Sequence, residues 1–238
     1  MTDTANSSKL ITLFGRMGLV FLLLVPISVA AVRFGLHFSI GLPIFALACL
    51  ASLLVIIALV ICSLLPRYRE QRRTALLWTL PALPPVLLIF VVMSAGSGVP
   101  PIHDITTDTD DPPLFDAGVH YRPDDSNSID IKPEVIAIQL EAYPDLATIV
   151  TDMTPEQAFE RASNVAESLE WVIYNSDPQI GVIEASYTSM WFGFVDDIVI
   201  RVQRTPAGTA VDLRSVSRVG RSDLGANAAR IRAFIQRF

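Results

Sequence analysis

The chain has 238 residues, 51% of them hydrophobic, and a formal net charge of −6 that is unevenly spread. Residues 1–99 carry seven Lys/Arg against two acids and residues 100–238 carry 11 against 22, so two regions suited to two solvents are expected, not one soluble core. Such an acidic C-terminal half excludes nucleic acid as its partner. Both cysteines, Cys49 and Cys62, lie in the apolar half, which leaves the acidic half no disulfide framework, Cys-rich zinc site or thiol nucleophile.

Three transmembrane helices are expected in residues 1–99, over about 10–32, 38–66 and 75–97. Sixteen uncharged residues separate Arg16 from Arg33, and with Leu10 to Gly15 before them the first run is long enough to span. Phe38 to Pro66 is uncharged throughout and is the strongest span. The third, Ala75 to Val99, contains Pro81, Pro84 and Pro85, which withhold ladder hydrogen bonds and should bend or break it near its cytoplasmic end. Arg67, Arg69, Arg72 and Arg73 crowd the connection before it, and a basic loop stays on the cytoplasmic side. The expected topology is therefore a multi-pass protein of the inner (cytoplasmic) membrane, with a cytoplasmic N-terminus and a periplasmic C-terminal domain. No Asp or Glu interrupts the first two spans, as an anchor needs and a transport path does not.

Residues 100–128, rich in Asp, Pro and Thr, read as a largely irregular linker. Asp108, Asp110 and Asp111 lack the loop glycine and twelfth-position glutamate of an EF-hand, so no metal is assigned there. From residue 129 a small α+β domain is expected. Thr154-Pro155-Glu156-Gln157 is a capping box opening a helix to about Glu170. Strands are expected over 171–175, 181–188, 194–204 and 209–216, the last two joined at Pro206-Ala207-Gly208. After Gly220, Asp223 is placed to cap a final helix whose apolar stripe runs from Leu224 to Phe238. The order α-β-β-β-β-α predicts an antiparallel four-stranded sheet with two helices on one face.

The chemistry-bearing residues gather between Asp196 and Asn227. Alternation puts Asp197 and Arg201 on one sheet face and Asp196 on the other, and a hairpin closed at Ala207 brings Arg201 to Asp212 and Val199 to Arg214. That forms an alternating ladder of Asp197, Arg201, Asp212 and Arg214. Arg214, Ser215, Ser217, Arg218, Arg221 and Ser222 then precede a helix start, where free amides and the dipole favour an anion. Arg201, Arg214, Ser215, Ser217, Arg218 and Ser222 are the candidate anion-binding residues. Asp196, Asp197, Asp212, Asp223 and Asn227 are candidates for structural or acid–base roles. Against a ligand stands internal charge complementarity, since residues 100–199 hold 20 acids and 3 bases while 201–238 hold 8 Arg and 2 acids. No histidine follows Tyr121, and no nucleophile elbow, P-loop, zinc-helix motif or dinucleotide fingerprint occurs, so neither a Ser-His-Asp triad nor a cofactor is expected.

HDITTDTDDPPLF at 103–115, FVDDIVIRV at 194–202 and VDLRSVSRVGRSDLGANAARIRAFI at 211–235 resemble the domain-of-unknown-function family fourteen-ninety-nine of bacteria and plastid-bearing organisms, over about 103–238. The family's motif residues fall here on Asp196, Asp197, Arg201, Arg214, Ser215, Ser217, Arg218, Gly220, Ser222, Asp223, Gly225 and Asn227. The resemblance implies no established activity. The leading expectation is a non-enzymatic module that binds an anionic small molecule, a lipid headgroup or an envelope protein. An envelope hydrolase or transferase using Asp196 or Asp197, and a purely structural subunit of a membrane complex, are the alternatives.

Overall fold

A computed structural model describes the backbone of residues 2–238 and the side chains from residue 9 onward. Asp3, one of the two N-terminal acids counted above, has its side chain outside the described residues. Two compact units result, Met1–Ser97 and Gly98–Phe238.

In the first unit α1 (Thr2–Arg33) and α2 (Phe38–Leu64) follow the two leading apolar runs, and both are long and apolar enough to cross a membrane. The second helix stops at Leu64, short of the expected Pro66, because Leu65 precedes a proline and is extended (φ −74°, ψ 135°). The third run differs most from expectation. It forms a 3-10 turn (Pro66–Gln71), the short α3 (Arg72–Leu77), a second 3-10 turn (Leu80–Ala82) and α4 (Leu83–Ala95), bent by 45° between its two halves. The expected helix over 75–97 is thus broken at Trp78–Thr79, where Pro81 and the Pro84-Pro85 pair withhold their amides from the ladder. Arg72 turns back and donates from Nε to the Ser63 carbonyl at 2.7 Å, a cation at the C-terminal, electronegative end of α2.

The second unit is a mixed helix and sheet domain with six strands among its described residues, not four. They are β1 (Asp104–Thr106), β2 (Ile149–Thr151), β3 (Val172–Asp177), β4 (Val182–Thr188), β5 (Val195–Thr205) and β6 (Gly208–Ser217). The pairing is antiparallel throughout in the order β1-β6-β5-β4-β3, with β2 beside β1 along β6. Besides α6 (Pro155–Ser168) and α7 (Ala226–Arg237), the unit holds α5 (Pro133–Ala142), which the expected element order lacks. That order is therefore β-α-β-α-β-β-β-β-α. Three-residue strands show no readable alternation, which is why β1 and β2 escaped the sequence.

The parts with strong local signals match. Thr154 and Gln157 form the reciprocal capping box, and Gly208 closes the β5–β6 hairpin with φ 130°. Arg201 faces Asp212 and Val199 faces Arg214 in the observed register, as alternation around Ala207 required. Ile198, Ile200, Val211 and Leu213 point to the helix face and pack with Ala158, Ala162, Ile231 and Phe234, all at most 3% exposed. The opposite face is also covered. Residues 107–130, nearly all of them within the stretch 100–128 read from composition as an irregular linker, fold back over it, and Phe115 packs on Val199 and Val216 with Ile129 beside them. Both faces of the central strands are consequently buried, so the polar residues on the second face lie inside the protein.

Candidate functional site

Strand alternation sorts the motif residues into two separate groups. Asp197, Arg201, Asp212, Arg214 and Arg218 lie on the face under the 107–130 strap, whereas Asp196, Ser215 and Ser217 lie on the face under α7. The arginines and serines expected to share one anion site are therefore divided by the sheet itself.

On the helix face Asn227 is the hub. Its Oδ1 accepts from Ser215 Oγ at 2.7 Å and Arg230 Nη1 at 2.5 Å, and its Nδ2 donates to Ser217 Oγ at 2.9 Å and the His103 carbonyl at 3.0 Å. Arg230 also pairs with Asp196 and lies over the Tyr187 ring. Asp223 accepts from the amides of Gly225 and Asn227 at 2.8 Å each, so the anion at the start of α7 is the chain's own carboxylate. Burial holds its pKa above the usual carboxylate range, partly offset by those two amides. Ser222 closes the preceding turn by accepting the Leu224 amide.

Under the strap the arginines are committed. Arg214 is 1% exposed; it grips Asp104 with Nε and Nη2 at 2.9 and 2.7 Å, reaches the carbonyls of Pro113 and Ile129, and sits over the Phe115 ring. Arg201 binds Asp108 and Asp111 at 2.9 and 2.8 Å and Asp212 at 3.3 Å, while its Nε–H has no partner among the described residues. Thr107 and Thr148 donate to Asp212 as well. Of the expected ladder, then, Arg201 and Asp212 pair across the strands, while Arg214 and Asp197 each take partners elsewhere. Asp212, Arg214 and Asp197 are thus buried and not on an exposed face, which raises what their pairs cost to break, whereas Asp111 meets Arg201 at the surface.

Asp197 holds the densest cluster. Fully buried, it receives Arg218 through Nε and Nη2, the latter at 2.7 Å, and Arg122 from the strap. These bonds raise the Arg218 pKa further. Beside them the Tyr174 hydroxyl is buried with no hydrogen-bond partner among the described residues. Burial first, then the Asp197 and Glu184 carboxylates, push its pKa well above the usual phenol range. Glu184 is itself spent, accepting from the amides of Asp116, Ala117 and Gly118 and from Asn175. Neither Asp196 nor Asp197 is a free base, because each carboxylate is enclosed and ion-paired.

The profile of a family described as a protein of unknown function (DUF1499) matches residues 104–238. The chain belongs to this family. A search of curated proteins finds no match to it. The DUF1499 match begins at Asp104, the partner of Arg214, and so includes the strap as well as the sheet.

Sequence reasoning missed Arg122, Glu184, Arg230, Tyr174 and Asp104. Two carried a signal. Arg122 is one of 3 bases among 20 acids in residues 100–199, and Glu184 interrupts the apolar strand Val182-Ile183-Glu184-Ala185, where an acid needs a buried partner.

Proposed function

We propose that this DUF1499 protein is a non-catalytic module, tethered to the inner membrane by three spans with its C-terminal domain in the periplasm, that receives an anionic group at the Arg122–Arg218 pair. The single observation supporting it is the charge balance at Asp197. Two guanidiniums converge on one buried carboxylate, and beside them lies the Tyr174 hydroxyl, which has no hydrogen-bond partner among the described residues. At Arg201 three carboxylates surround one guanidinium, and at Arg214 the pair is closed and buried, so a further anion is disfavoured at both. The Arg218 side chain is 15% exposed, enough for a phosphate, a carboxylate or a lipid headgroup to meet its outer edge. The periplasmic part of the reading is supported by the basic Arg67–Arg73 loop, with the bent third segment taken as one crossing.

Native mass spectrometry of the full-length protein, released gently from its own membranes, tests the reading against Arg218→Gln, which leaves Arg122 on Asp197. A small mass that stays with the wild type and is lost from the folded variant supports it and identifies the source of the anion. No such mass on the wild type, or equal retention by the variant, ends it.

A further inference from the structure

The segment from Pro66 to Leu77 has two faces. One repeats every seven residues: Tyr68, Ala75 and, past the bend, Ala82 are at most 4% exposed and pack with Ile11 of α1 and with Val55, Leu59 and Cys62 of α2. Trp78 lies against the same cluster, and Gly15 makes room for its indole, since a Cβ there would fall 2.1 Å from it. With Arg72 donating to the Ser63 carbonyl as well, the segment is fixed against the two long apolar helices.

That fixing sets what the other face presents. Arg69, Arg72, Arg73, Leu76 and Leu77 follow at the i, i+3, i+4, i+7 and i+8 spacing of one helical face, and all five are exposed. Leu76, Leu77 and then Leu80 are 47%, 65% and 56% exposed. The face is therefore graded, with guanidiniums first and branched apolar side chains after them. Arg67 adds a fourth guanidinium, which lies over the Tyr68 ring at 4.8 Å.

This part of the chain lacks counter-charge. Glu70 is the one acid between Lys9 and His103, and among the described residues no carboxylate pairs with any of the four arginines. In the C-terminal unit, by contrast, Arg122, Arg201, Arg214, Arg218, Arg230 and Arg232 each hold an aspartate. Holding a basic loop on one side of a membrane needs only its Lys/Arg excess, whichever way the side chains face. Guanidiniums aligned ahead of exposed leucines on a packed segment suit a ligand with an anion at one end and hydrocarbon at the other.

From this we infer that Arg69, Arg72 and Arg73 hold the phosphodiester headgroup of an anionic phospholipid whose acyl chains run over Leu76, Leu77 and Leu80. The inference rests on the membrane-anchored part of the reading above and is independent of the Arg122–Arg218 pair, which belongs to the other unit.

The test places the full-length protein in nanodiscs of mixed phosphatidylglycerol and phosphatidylcholine, and native mass spectrometry counts the lipids that stay bound on release. The wild type should retain phosphatidylglycerol in preference, Arg69→Gln/Arg73→Gln should lose that preference, and Arg218→Gln should keep it. Arg69→Lys/Arg73→Lys preserves the charge that topology needs but not the forks that take two phosphate oxygens at once, so its preference should fall several-fold. An excess of glycerophosphoglycerol, the same headgroup without acyl chains, should leave the bound lipid in place. No preference in the wild type, or an equal one in the glutamine variant, overturns the inference. Loss with Arg218→Gln assigns the lipid to the other site and overturns it too. Equal retention by the lysine variant reduces the site to net charge, displacement by the chainless headgroup removes the leucines from it, and either result ends it. Should the glutamine variant fail to enter the disc, the lysine variant decides alone. Failure of the wild type to enter the disc overturns the membrane anchor itself.

Discussion

Arg214 and Asp111 mark the two ends of what an ion pair does in this domain. Arg214 is sealed with Asp104, its side chain 1% exposed, so Asp104→Ala leaves a buried guanidinium uncompensated and should cost about 3–5 kcal/mol. Asp111 answers Arg201 from a side chain 80% exposed, and Asp111→Ala should cost less than about 1 kcal/mol. Denaturant unfolding of the full chain, followed through the signal of its C-terminal domain, separates the two. Asp223 adds a pH dependence of definite sign. Its folded pKa is raised by burial, so its contribution is most favourable below the ordinary carboxylate pKa and is lost as pH rises through the folded value. The melting temperature of the wild type minus that of Asp223→Asn should therefore fall as pH rises above the ordinary carboxylate pKa. A difference that rises instead would mean that the charged carboxylate is what the α7 amides require.

Among the elements, the strap over residues 107–130 is the one that makes the site. It supplies Asp108, Asp111, Phe115 and Arg122, and it is fastened by three consecutive amides, from Asp116 to Gly118, on the Glu184 carboxylate. Gly118 is needed for closeness: a Cβ there would lie 2.6 Å from Tyr174 Oη and 3.2 Å from Glu184 Oε1. Gly118→Ala should thus lift the strap and destabilise the domain by about 1–3 kcal/mol, with faster amide exchange at residues 116–118 while β5 and β6 keep their protection. Uniform exchange across the domain would show that strap and sheet unfold as one. Composition alone labelled this segment a linker, because Asp, Pro and Thr look solvent-seeking when the arginines that answer them lie about 90 residues away, as from Asp111 to Arg201. The β5–β6 hairpin was legible for the converse reason. Its register is fixed by the Pro206-Ala207-Gly208 turn and by alternation, both readable over a few residues.

At the scale of the whole molecule, the segment bent by 45° between α3 and α4 is either one broken span or a re-entrant loop. If the bent pair crosses, the Arg67–Arg73 loop and the domain lie on opposite sides; if it turns back, they share one. A cysteine at the exposed hairpin position Ala207, with Cys49 and Cys62 buried among the apolar helices, should react with an impermeant maleimide added from outside. Labelling only after permeabilisation would put the domain in the cytoplasm and make the third segment re-entrant. The sequence by itself determined the first two apolar helices, the capped α6, the four long strands and the hairpin register, since each is written in a local period, a run length or a turn. The tertiary structure alone decided that the sheet is closed on both faces, that its serines and arginines point to opposite sides, and that Asp104 belongs to Arg214 across 110 residues of chain. A buried charge chooses its partner by proximity in the folded state, and no local period encodes that proximity.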